Sequence, residues 1–96
     1  MRDDLKFFET KDLGVSAILL SYDIPLVRTA YNGKEVYFYF DNKEEAERLA
    51  HQYNFGGLMV QARKFHDSMI LIKREILARY NPKRFKKETG AYATPR

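Results

Sequence analysis

The chain has 96 residues, 17 Lys and Arg against 13 Asp and Glu for a net charge of +4, and no cysteine. That length supports one domain with one core, burying roughly 60 to 65% of the unfolded chain's surface, and the missing cysteine excludes disulfides, thiol nucleophiles, iron–sulfur clusters and cysteine-based zinc sites. The opening Met1-Arg2-Asp3-Asp4 lacks a signal-peptide pattern, and the longest apolar run, Ala17 to Leu20, is far too short to cross a membrane, so a cytoplasmic protein with no membrane partner is expected.

Leu5 to Glu9 reads as a short strand. Thr10 is placed to cap a helix over Lys11 to Tyr22, with Asp12 in the first turn, where the helix dipole favours an anion. Leu13, Ala17 and Leu20 share one face of that helix. Val15, Ile18, Leu19 and Tyr22 extend the apolar surface almost all the way round, which predicts burial on more than one side.

Leu26 to Tyr31 and Lys34 to Phe40 flank Asn32-Gly33, the pair that best tolerates the two positive φ angles of a tight hairpin turn. A two-residue turn would set Tyr31 opposite Lys34, Thr29 opposite Val36, Val27 opposite Phe38 and Pro25 opposite Phe40. Val36, Phe38 and Phe40 then face the core. The other face carries Glu35, Tyr37 and Tyr39, with Arg28 opposite Tyr37 and Leu26 opposite Tyr39.

Asp41 or Asn42 precedes a glutamate by three residues, as a capping box requires, and Ala46, Leu49, Ala50 and Tyr53 form an amphipathic stripe behind it. Asn54 to Gly57 supplies the stop, with Gly56 or Gly57 available for a left-handed cap. A third helix runs from about Ala62 to Tyr80, with Phe65, Met69, Ile72 and Ile76 in one stripe, and Asn81-Pro82 closes it. The expected fold is α+β: a small antiparallel sheet centred on the hairpin 26–40 and packed with three helices over residues 1–82, followed by a mobile basic tail, 83–96. A ferredoxin-like arrangement is the alternative if Leu58 to Gln61 pairs as a fourth strand, but the few strand residues there favour three strands.

The segment FFETKDLGVSAILLS is similar to the opening of a domain-of-unknown-function family of short phage, bacterial and archaeal proteins, in which a Phe-x-Thr-x-Asp-Leu start leads into an Ala- and Leu-rich helix. The matching residues are Phe8, Thr10, Asp12, Leu13 and Ala17. Phe38 and Phe40 on the second hairpin strand, the acidic helix, and Ala62, Phe65 and Lys73 on the third helix follow in the same order, so the resemblance covers about residues 7–80. This chain departs from the pattern after the first helix, where Ser21-Tyr22-Asp23 replaces the usual glycine. The resemblance implies a viral or mobile-element setting, hence a host cytoplasm, and supplies no activity, catalytic residue or ligand.

No catalytic or metal-binding constellation emerges. His51 and His66 lie fifteen residues apart without ligand spacing, Gly56-Gly57 lacks a phosphate-loop pattern, and Glu44, Glu45 and Glu47 are explained by the helix dipole. No cofactor and no enzymatic activity are expected.

Two surfaces remain as contact candidates. Arg28, Tyr37 and Tyr39 could form a cation–π pair and a stacking surface for a base or a partner's side chain. The second candidate is basic: residues 1–72 hold 9 Lys and Arg against 11 Asp and Glu, whereas residues 73–96 hold 8 against 2. Within that last quarter Lys83, Arg84, Lys86 and Lys87 surround Phe85, with Lys73, Arg74 and Arg79 on the preceding helix, a cluster that attracts phosphates with no specific fold. The leading expectation is a non-enzymatic, nucleic-acid-associated accessory protein of a phage or mobile element. The competing one is a viral protein-interaction module that inhibits a host factor or defence complex. A patch of Leu26, Tyr37 and Tyr39 beside open hairpin edges would also suit a homodimer.

Overall fold

The computed structural model describes residues 6–80. Three antiparallel strands, β1 (Phe8–Thr10), β2 (Leu26–Tyr31) and β3 (Val36–Phe40), form one sheet in the order β1-β3-β2, so the aromatic strand is central. Three helices complete an α+β fold: α1 (Leu13–Ser21), α2 (Lys43–Asn54) and α3, which starts at Ala62 and continues to Tyr80. Leu58 to Gln61 forms no strand, which leaves the sheet three-stranded. The segment 83–96 and the Asn81-Pro82 stop lie outside the described residues.

The core lies between the helices and one sheet face. Phe38 and Phe40 are fully buried beside Ile18 and Leu19 of α1, Leu49 of α2 and Ile72 of α3. The alternation of β3 produces this, since period-2 geometry sends Phe38 and Phe40 to one side and Tyr37 and Tyr39 to the other. Helix α1 buries six of its nine residues, Val15 to Leu19 and Ser21, in agreement with its nearly all-round apolar surface.

Both ends of α1 differ from expectation. The helix begins at Leu13, so Asp12 is its cap, the Oδ1 accepting from Val15 N at 3.0 Å, while Thr10 pairs with Phe38 in β1 and its Oγ1 accepts from Asp12 N at 3.1 Å. At the other end, the Asp23 N–H donates to Leu20 O and the Ile24 N–H to Leu19 O, each at 3.0 Å. This is the double closure of a Schellman motif, with Ile24 packed in the core beside Leu19. Asp23 holds the left-handed position, φ 64°, that glycine usually takes. Helix α2 ends the same way with glycine in that role: Gly56 has φ 79°, and the Gly57 N–H reaches Gln52 O at 2.9 Å.

The capping box expected at α2 does not form. Asn42 sits at φ 52°, ψ 59°, outside the extended geometry from which a capping side chain reaches the first turn, and its side chain makes no cap bond. Glu44 and Glu45 do occupy the first turn, where the dipole favours them.

Helix α3 carries the expected stripe, with Ile72 and Ile76 buried and Phe65 and Met69 half-buried against the core. Over Ile72–Leu77 it widens into a π-helical stretch. The wider turn lets Ile76 and its neighbour Leu77 both bury, and delivers Tyr80 to β2, where its hydroxyl lies 2.7 Å from Thr29 Oγ1 and its ring 5.0 Å from that of Tyr31.

The hairpin register is shifted by two residues from the expected one. Tyr31 pairs with Val36, Ala30 with Tyr37, Thr29 with Phe38 and Arg28 with Tyr39. The cause is Asn32, whose Oδ1 accepts from both Lys34 N (2.9 Å) and Glu35 N (2.7 Å), so the turn takes four residues, Asn32 to Glu35, rather than two. A bulge between Leu26 and Arg28 then brings Leu26 opposite Phe40 and leaves Val27 43% exposed.

Candidate interaction face

A shift of two keeps every β3 side chain on its expected face and changes only its partner. Arg28 therefore meets Tyr39 and not Tyr37: its guanidinium carbon lies 4.3 Å from the centroid of the Tyr39 ring, within cation–π range. Glu9 of β1 pairs with Tyr39 from the other side, so Glu9, Tyr39 and Arg28 form one row across the sheet. Tyr37, two residues earlier on the same strand, stands about 6.7 Å along that face and is half-buried like Tyr39. Leu26, expected beside Tyr39, is turned to the core by the bulge and packs against the buried cluster. The face is thus aromatic and charged rather than an apolar patch.

Its second row is fixed by an ion pair. Lys11 Nζ lies 2.9 Å from Glu35 Oε2, and the Tyr37 hydroxyl donates to Glu35 Oε1 at 3.2 Å. The hydrogen bond from Lys11 holds the Glu35 carboxyl below its usual range, with the Tyr37 hydroxyl adding to it, and the same bond raises Lys11. Both charges are exposed, so the pair orients Tyr37 more than it stabilises the domain.

Neither tyrosine belongs to the core, and the helices lie on the Phe38 and Phe40 side of the sheet. No described helix covers this face of the central strand, and two half-buried aromatic rings with a cation stacked on one of them make it a platform for planar groups. Comparison with protein-family models, with curated proteins and with solved structures finds no match. The chemistry of this face therefore carries the functional reading.

The basic candidates divide. Lys73, Arg74 and Arg79 are exposed on α3, with the Arg79 Nε donating to Glu75 O at 2.8 Å. Lys83, Arg84, Phe85, Lys86 and Lys87 lie outside the described residues.

Other positions have local assignments. His51 stacks on Phe55 with ring centroids 4.6 Å apart, and His66 is exposed on α3. Among the described residues no three His, Asp or Glu side chains gather as metal ligands, and no helix is long and apolar enough to cross a membrane. One feature was missed by the sequence reading: the loop after α2 exposes Phe55 (77%) and Met59 (85%) while Leu58 and Val60 pack against the core. The alternation in Leu58-Met59-Val60 is the signal that could have found it.

Proposed function

We propose that the chain is a non-enzymatic accessory protein of a phage or mobile element that binds single-stranded nucleic acid. The outer sheet face stacks bases, and the basic carboxy-terminal run supplies phosphate attraction. The observation that carries this reading is the Arg28 guanidinium lying over Tyr39 on the sheet face opposite the described helices. A stacked guanidinium presents a planar cation, to which a base adds by π-stacking and a phosphate by charge.

Charge argues for a division of labour. Glu9 and Glu35 offset Arg28 and Lys11 on the face itself, so long-range attraction falls to Lys73, Arg74, Arg79, Lys83, Arg84, Lys86 and Lys87, with Phe85 as an added stacking group. Fluorescence anisotropy with random single-stranded oligonucleotides tests this. If the four cations between Lys83 and Lys87 each neutralise one phosphate, the log–log salt slope is about −3. Truncation after Pro82 removes most of the affinity. No binding at low salt, or equal binding by the truncated chain, overturns the reading.

The exposed Phe55 and Met59 favour a second reading, a protein-interaction module directed at a host factor. Capture of a partner that is lost in Phe55→Ser and kept in Tyr39→Ala would select it.

A further inference from the structure

Beyond balancing the charge of Arg28, Glu9 makes no contact that single-strand binding uses. It is exposed on β1, level with Tyr39 and, one strand further, Arg28. Adjacent strands lie about 4.8 Å apart, so a base stacked over the Arg28–Tyr39 pair has its edge within reach of the Glu9 carboxylate. The two outward carboxylates of this face differ. Glu35 is engaged by Lys11 and by the Tyr37 hydroxyl, whereas Glu9 makes no hydrogen bond or ion pair with another described side chain.

A carboxylate next to a nucleic-acid strand repels its phosphates, so a contact with the backbone only weakens binding. An ionised carboxylate is an acceptor at both oxygens, and its complement is a pair of N–H donors in one plane. The bases offer unequal matches on their pairing edges. Guanine presents N1–H and the N2 amino group side by side, two donors for two oxygens. Cytosine and adenine present one amino group beside a ring nitrogen that accepts. Thymine and uracil present one N–H between two carbonyl oxygens, which a carboxylate repels.

We propose that Glu9 selects the base stacked on Arg28 and Tyr39, and that the preferred ligand is a single strand carrying guanine. The inference rests on the single-strand reading and is tested so that the two fail differently. The full chain is titrated with labelled thymidine tracts that are uniform, that carry a central guanosine, or that carry inosine, which keeps N1–H and lacks the amino group. Wild type is expected to bind the guanosine strand about tenfold tighter than the uniform tract, with inosine losing most of that gain.

Glu9→Gln is expected to level the preference. Glu9→Lys is expected to tighten binding to all three strands while levelling them, which a merely structural position would not do. Thermal melts show that both variants fold. Equal wild-type affinity for the three strands, or a guanosine preference that survives Glu9→Gln, overturns the assignment of Glu9 and leaves the single-strand reading standing. Absence of binding to every strand overturns both.

Discussion

The guanidinium of Arg28 lies 4.3 Å from the centre of the Tyr39 ring, on the sheet face opposite the fully buried Phe38 and Phe40. The pair joins an edge strand to the central one without entering the core, so its loss should be felt in binding more than in folding. Exposed cation–π pairs contribute about 0.5 to 1 kcal/mol, against about 1 to 3 kcal/mol for a base stacked on an aromatic ring. Arg28→Ala and Tyr39→Ala are expected to lower stability by about 1 kcal/mol or less and to weaken single-strand binding about tenfold. A double-mutant cycle read by thermal melting and by anisotropy separates the two effects.

The register makes a sharper claim about stability. Phe40→Ala is expected to cost about 3 to 5 kcal/mol, because a fully buried aromatic leaves a cavity between the sheet and the helices. Val27→Ala is expected to fall within about 0.5 kcal/mol of wild type, since the bulge leaves Val27 exposed. In a two-residue turn Val27 would sit opposite Phe38 in the core and its truncation would be costly. Urea titration of the two variants distinguishes the registers.

Much of this arrangement is legible in the sequence, and the exceptions have local causes. The split of Phe38 and Phe40 from Tyr37 and Tyr39 follows from alternation alone, and it survives because a shift of two preserves the faces. The partner of Arg28 was not legible, because nothing in Asn32-Gly33 announces that the Asn32 side chain will take two backbone N–H groups and lengthen the turn. Leu26 changes face through a bulge, and the π-helical widening at Ile72–Leu77 reads in sequence as an ordinary apolar stripe. Thr10 and Asp12 are both good caps by residue type, and only the start of the helix at Leu13 gives the role to Asp12 and turns the Thr10 hydroxyl to the Asp12 N–H.

Two positions carry removable costs. Asp23 occupies a left-handed position at φ 64°, and its contact with Lys64 is long, 4.0 Å, and exposed, so the carboxylate contributes little. Asp23→Gly is expected to raise stability by about 1 kcal/mol. Ser16 is fully buried in α1 with no partner for its hydroxyl among the described residues, and Ser16→Ala is expected to stabilise by about 1 kcal/mol. Melting temperatures that fall in either variant would contradict these assignments.

The Lys11–Glu35 pair has a pH signature. Glu35 is lowered in the folded state, so its contribution is present above the ordinary carboxylate pKa and is lost as pH falls through the lowered value. Lys11 is raised, so its contribution is present below the ordinary lysine pKa and is lost as pH rises through the raised value. Wild type and Glu35→Gln should differ in melting temperature across the neutral range and converge at acid pH. A difference that persists once Glu35 is protonated would mean that the ion pair is not its source.

The central claim is that the outer sheet face stacks bases, and nuclear magnetic resonance tests it residue by residue. A short single-stranded oligonucleotide is titrated into the isotope-labelled full chain at low salt. The largest shifts are expected at Arg28, Tyr37 and Tyr39, with Phe38 and Phe40 nearly unmoved and the changes at Arg28 and Tyr37 lost in Tyr39→Ala. Shifts confined to the basic carboxy-terminal run, with Arg28, Tyr37 and Tyr39 unmoved at saturation, would contradict it.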